Sequence, residues 1–211
     1  LNIEDVISSG ITGLGTIIAI VDTGLELSHE DLSTNIVVGK SYDYSDQDNN
    51  PEPINFSGDH GTSMAGISSA VGGNNVGVRG VAPNSKIVGF NVIGGSNNTI
   101  SNMIDALGGA SGGADTQEID IFNMSFGSNM ERFFPSPLNA SFEAAFKNGV
   151  DNLRNGKGAI YVTSAGNQWS FRENSNLYYC GPNYAANNSD EGFPCWDASF
   201  DTKLTVPYVI G

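Results

Sequence analysis

The stretch Thr16-Ile17-Ile18-Ala19-Ile20-Val21-Asp22-Thr23-Gly24 decides the architecture. Residues 16–21 are apolar or β-branched without alternation. That is the pattern of a strand buried on both faces, and such strands belong to parallel sheets covered by helices. Working outward, 86–92, 119–124, 159–163 and 204–210 are further apolar runs that predict strands. Between them, 60–71 predicts a helix rich in Ala, Ser and Gly, and 99–107 and 141–153 predict two more. The last carries Phe142, Ala145, Phe146 and Val150 on one face at helical spacing. Strands alternating with helices predict an α/β fold, a parallel β-sheet flanked by helices. No repeat or linker divides residues 1–211, so one domain is expected. The sequence stops at Gly211, directly after a core-like strand, so that domain is expected to be incomplete.

Composition narrows the function. Apolar residues make up 39% and charged residues 15%, which suits a compact enzyme rather than a disordered chain. Acids outnumber bases 23 to 9, for a formal charge of −14. This disfavours nucleic acid and anionic membranes as partners, since both need a basic footprint. No apolar run approaches the ~20 residues of a membrane span, and no charged-then-apolar leader opens the chain. The acid excess is compatible with calcium sites and basic substrates, and equally with solubility charge on an exported protein. Residues 168–201 form a polar, aperiodic stretch containing both cysteines, Cys180 and Cys195. With no CxxC and no nearby His, zinc is disfavoured. A disulfide clamping this long loop is the preferred reading, against two buried thiols, and it implies an oxidising compartment, extracellular or periplasmic.

In parallel sheets, reactive groups collect where strands end. The first strand ends in Asp22-Thr23-Gly24, a signal that also describes an ordinary turn or an aspartic-protease half-site, although no second such triplet exists. Asp59-His60-Gly61-Thr62-Ser63-Met64-Ala65-Gly66 opens the first predicted helix. The chain has two histidines. His29 lies in a polar acidic turn that favours a solvated or capping role, whereas His60 stands where a side chain is presented. Thr163-Ser164-Ala165-Gly166-Asn167 follows another strand, and an Asn amide there can donate to an oxyanion.

In this order, VDTG, DHGTxxAG with the downstream Gly80-Val81-Ala82-Pro83, and SAGN resemble the subtilase family of serine proteases across nearly the whole chain. The kexin/furin-like branch is the nearest, on Leu1-Asn2-Ile3, Gly13-Leu14-Gly15 and the acidic run from Ser41 to Asp48. The resemblance implies an Asp-His-Ser endopeptidase with a protein or peptide substrate and a propeptide or inhibitor partner. Asp22 would orient His60, His60 would act as general base, and Asn167 would stabilise the oxyanion. Ser125-Phe126-Gly127 would pair with extended substrate. Gly61 to Ala65 also spells the family's serine motif, but it follows His60 directly and lacks the closing proline. Ser63 is therefore expected to be a helix residue, with the nucleophile beyond Gly211.

The resemblance also implies Ca²⁺, held by Asp31, the Asn74 side chain and the carbonyls of Val71, Val76 and Val78, with Gly72 and Gly73 letting the chain curl. A plain Asn/Gly turn is the alternative. Asp43 and Asp48 form a weaker second candidate. Asp201 aligns with an acid that reads Lys or Arg at the first subsite, while Thr23 stands where kexin-like enzymes carry a second acid. The sequence admits two rival readings. A nucleotide cradle at Gly10 to Gly15 fails because those glycines precede the strand rather than follow it. A catalytically inactive subtilase-like binding domain is disfavoured by the presence of Asp22, His60 and Asn167 together.

Overall fold

The computed structural model describes residues 3–53, 59–109, 113–126 and 140–164, and the backbone of 208–210. Six parallel strands form one sheet: β1 (Ile17–Asp22), β2 (Tyr42–Asp43), β3 (Lys86–Asn91), β4 (Ile121–Met124), β5 (Ile160–Thr163) and β6 (Tyr208–Ile210). Their spatial order is β2-β3-β1-β4-β5-β6, with β1 paired in parallel to both β3 and β4. The helices are α1 (Glu4–Ser8), α2 (His60–Ser69), α3 (Ile100–Ala106) and α4 (Ala140–Gly156). The expected parallel α/β sheet is thus present.

β1 shows why an apolar run without alternation marks a central strand. Ala19 and Val21 enter one core cluster with Val88, Phe90, Phe122, Phe146, Leu153 and Tyr161. Ile18 and Ile20 enter a second, with Leu25, Leu32, Ala65 and Ile87. Successive side chains point to opposite faces, so β1 lies between two apolar layers. By the same alternation Asp22 falls on the face of Ile18 and Ile20, the face that Ala65 of α2 covers.

α4 runs close to its predicted span, because Leu153 leaves helical geometry (ψ 158°) and Arg154 and Asn155 adopt positive φ. Arg154 is held there by donating to the Gly158 carbonyl at 2.9 Å and by an ion pair with Asp120 at 2.5 Å. On the large-cluster side the Tyr161 ring stacks on Phe122 with centroids 4.9 Å apart, and its hydroxyl donates to the Leu107 carbonyl at 2.8 Å. α1 and β2 were not anticipated. Among the described residues no helix is long and apolar enough to cross a membrane.

The connectivity places the site. From β1 the chain moves outward to β2 and β3, then crosses back over β1 to β4. The carboxyl end of β1 is therefore a point where the winding reverses, and in open parallel sheets a crevice opens there. Asp22 is the last residue of β1.

Candidate active site

Asp22 is fully buried at that strand end, and His60 is the first residue of α2. The His60 Nδ1 lies 2.7 Å from Asp22 Oδ1. An ionised carboxylate can only accept, so in a neutral imidazole bonded to it the proton sits on Nδ1 and Nε2 is left as an acceptor. The ring is 47% exposed while the carboxylate is 0% exposed. An anchored inner nitrogen and an open outer one are what a proton-accepting imidazole needs.

Three local features bring His60 to Asp22. Thr23 donates its backbone N–H to Asp22 Oδ1 at 2.7 Å. Its Oγ1 accepts the N–H of Gly61 at 3.1 Å. Thr62 Oγ1 accepts the N–H of Glu26 at 2.9 Å, tying the helix to the loop that follows β1. Gly61 is glycine because of close approach: a Cβ there would collide with the Gly24 carbonyl oxygen and sit 3.0 Å from the Cβ of Asp22. The second carboxylate oxygen, Asp22 Oδ2, is buried with no hydrogen-bond partner among the described residues. Such an oxygen costs on the order of 1–3 kcal/mol, a cost that functional sites carry more often than cores.

Ser125 follows β4, and its Oγ accepts from Asn123 Nδ2 at 3.0 Å. Phe126 packs against the larger core cluster. Asn123 lies opposite Ile20 in the β1–β4 register, on the face shared with Asp22. Gly127, Asn167, Asp201, Cys180 and Cys195 lie outside the described residues. Ser63 sits exposed on α2, donates its backbone N–H to the Asp59 carbonyl at 2.9 Å, and makes no hydrogen bond with His60. His29 Nδ1 accepts the N–H of Asp31 at 3.1 Å, a capping contact away from Asp22.

The first calcium candidate is assembled around Asp31, which is 2% exposed. Its Oδ1 accepts from Asn74 Nδ2 at 2.7 Å and its Oδ2 from the Val78 N–H at 2.8 Å. Its backbone carbonyl accepts from the Val71 N–H at 3.0 Å, and Asn74 Oδ1 accepts from the Val76 N–H at 3.2 Å. Gly77 has φ +50°, and a Cβ there would strike Asp31 Oδ2. Among the described residues no group of three or more His, Cys, Asp or Glu gathers. The expected donor set is one carboxylate, one amide and backbone carbonyls, and here its carboxylate and amide oxygens accept N–H groups. That all-oxygen chemistry fits Ca²⁺, with rotation of the Asn74 amide presenting its oxygen.

Asp43, 1% exposed, is held differently. Its Oδ1 accepts the N–H groups of Ser45 (2.6 Å) and Asp46 (3.0 Å), and its Oδ2 accepts from Asn91 Nδ2 at 2.8 Å. Asp48 pairs with Asp43 through the backbone and turns its Oδ1 to the Asn50 N–H at 2.8 Å.

A profile described as the subtilase family matches residues 13–188. The chain belongs to the subtilase family. It is 35% identical to furin of Rattus norvegicus over 172 residues, covering 79% of this chain and 21% of furin. Against kexin of Saccharomyces cerevisiae it is 36% identical over 177 residues, covering 83% of this chain and 21% of kexin. This subtilase chain thus spans about a fifth of the length of the curated relatives it matches. Its fold superposes with a TM-score of 0.65 on an Aeromonas sobria serine protease solved in complex with a chaperone. That match has 30% identity and covers 75% of this chain and 26% of the other.

The Asp-Thr-Gly and His-Gly-Thr strings made the two site elements legible. The clip that joins them, Thr23 to Gly61 and Glu26 to Thr62, was missed. Its only sequence signal is a threonine within two residues of the reactive residue in each motif, Thr23 after Asp22 and Thr62 after His60.

Proposed function

We propose that this subtilase is a serine endopeptidase exported from the cell, and the observation that carries the reading is the buried Asp22 bonded to a half-exposed His60. Asp22 keeps the imidazole in the Nδ1–H tautomer. Nε2 removes the proton from a serine hydroxyl as that oxygen attacks the scissile carbonyl, and the buried carboxylate stabilises the imidazolium that forms. Nε2 then returns the proton to the departing amine. The Asn167 side-chain amide donates to the oxyanion. Residues 125–127 offer backbone to an extended peptide, and Asp201 favours Lys or Arg at the first subsite. Ser63 is assigned to α2, so the nucleophile is a serine carried beyond Gly211. Asp31, Asn74 and the carbonyls of Val71, Val76 and Val78 would hold a Ca²⁺ that stabilises the fold without entering the chemistry. A Cys180–Cys195 bridge and a propeptide or inhibitor partner complete the reading.

The test is a fluorogenic peptide assay on the complete protein, its His60→Ala variant and its Ser63→Ala variant, with covalent labelling by a fluorophosphonate. Hydrolysis and labelling that survive Ser63→Ala and vanish with His60→Ala are expected. A folded complete protein that neither labels nor hydrolyses would replace this reading with that of an inactive binding domain.

A further inference from the structure

We propose that Thr23 is a positioning residue that caps α2 from another element and thereby sets the Asp22–His60 pair. This rests on the peptidase reading only for its effect on rate; its geometric core stands without it. The first turn of any helix leaves N–H groups without intrahelical partners. At α2 the residue in the capping position, Asp59, makes no side-chain cap bond. Thr23, at the far end of β1, supplies the acceptor instead: its Oγ1 takes the Gly61 N–H at 3.1 Å.

The same residue donates its own N–H to Asp22 Oδ1 at 2.7 Å, the oxygen that also faces His60 Nδ1 at 2.7 Å. One residue therefore bonds both to the carboxylate and to the neighbour of the imidazole. A β-branched side chain has a stiff χ1, so the oxygen that holds Gly61 has little freedom. Gly61 has little room toward β1, because even a Cβ built on it would strike the Gly24 carbonyl oxygen and stand 3.0 Å from the Asp22 Cβ. The bond pulling inward and the contact pushing outward fix how far His60 stands from Asp22. The Thr62–Glu26 bond anchors the next residue of α2 but reaches neither member of the pair.

Three variants decide the matter in the complete protein: Thr23→Val, which keeps the shape and removes the acceptor, Thr23→Ala, and Thr23→Ser, which keeps the acceptor. The readout is the low-field proton resonance of His60 Nδ1–H, assigned by its loss in His60→Ala, together with hydrogen exchange at the Gly61 amide. Thr23→Val and Thr23→Ala should broaden or lose the resonance and speed Gly61 exchange about tenfold or more, and Thr23→Ser should retain both. Misplacement by ~1 Å costs on the order of 100-fold in rate, so kcat should fall by about 10–100-fold with KM little changed. If Thr23→Val does not fold, Thr23→Ala decides on the same resonance. A folded Val or Ala variant with the wild-type resonance and Gly61 protection overturns the proposal, as does a Ser variant that behaves like Val. If the wild-type protein shows the resonance but hydrolyses nothing, the peptidase reading fails while the resonance still decides the role of Thr23.

Discussion

Asp22 and Asp43 end two strands of one sheet, at the same edge, with 0% and 1% of their surface exposed. By burial they are indistinguishable, and neither is paired with a Lys or Arg among the described residues. They differ in how their oxygens are occupied. Asp43 accepts three N–H groups, two from its own turn and one from Asn91, and so fastens the edge strand β2 to β3. Asp22 accepts the Thr23 N–H and the His60 ring on one oxygen and leaves the other without a partner among the described residues. A buried carboxylate with both oxygens taken by N–H donors serves the fold. One with unspent acceptor capacity beside an exposed imidazole is available for chemistry.

The strongest way to break this contrast is to neutralise each acid in the complete protein. Asp22→Asn keeps the shape but favours the wrong imidazole tautomer, and should lower kcat by about 10⁴-fold with little change in unfolding midpoint. Asp43→Ala should do the reverse. It strands the Asn91 amide and two turn N–H groups, costing about 2–4 kcal/mol in urea unfolding, while kcat stays within a few-fold. If Asp43→Ala abolishes activity in a protein of unchanged stability, the division between the two acids is wrong.

Asp31 sharpens the comparison as an intermediate case. It is buried and its carboxylate oxygens accept N–H groups from Asn74 and Val78, so a calcium ion there would have to replace those hydrogen bonds. A ligand that binds only the native state at about a hundred times its Kd adds about 2.7 kcal/mol. For a chain of this size that is on the order of 5–10 °C in Tm. Chelation should lower the melting temperature by that amount in the wild type and leave Asp31→Asn unmoved. Equal melting curves with and without chelator would put Asp31 in the same class as Asp43.

How legible these differences were depended on distance along the chain. β1 was readable because both its faces are apolar, and α4 because Phe142 and Phe146 recur at helical spacing. β2 was not: Tyr42–Asp43 has only two residues, lies in an acidic run that reads as a solvated loop, and becomes a strand only because Phe90 and Asn91 offer it an edge. α1 was equally hidden, since five residues carry no periodic signal and part of what holds it is an ion pair from Glu4 to Arg79. Asp22 and His60 were marked by motif, but the bond that joins them spans 38 residues. So does the Thr23–Gly61 clip. Contacts of that kind are products of the crossover, and no local pattern encodes them.

The smallest effect belongs to a carboxylate with neither burial nor a site. Asp115 meets Lys40 at 2.5 Å, with side chains 52% and 33% exposed. The Lys40 hydrogen bond holds the Asp115 carboxyl below its ordinary value, and the same bond raises Lys40. The acid's depressed value means its contribution is present above the unfolded carboxylate pKa of about 3.9 and fades as pH falls through the lower folded value. The raised Lys40 value means its share is full below about 10.4 and is lost as pH rises through the folded value. At neutral pH both are present, but solvent screens them, and exposed pairs contribute ~0.2–1 kcal/mol. Asp115→Asn should therefore lower stability by less than about 1 kcal/mol at pH 7. High salt should shrink the difference further, with kcat unchanged. Urea unfolding at low and high salt checks this, and a salt-insensitive loss as large as that of Asp43→Ala would show that exposure is no guide to which carboxylates hold this sheet together.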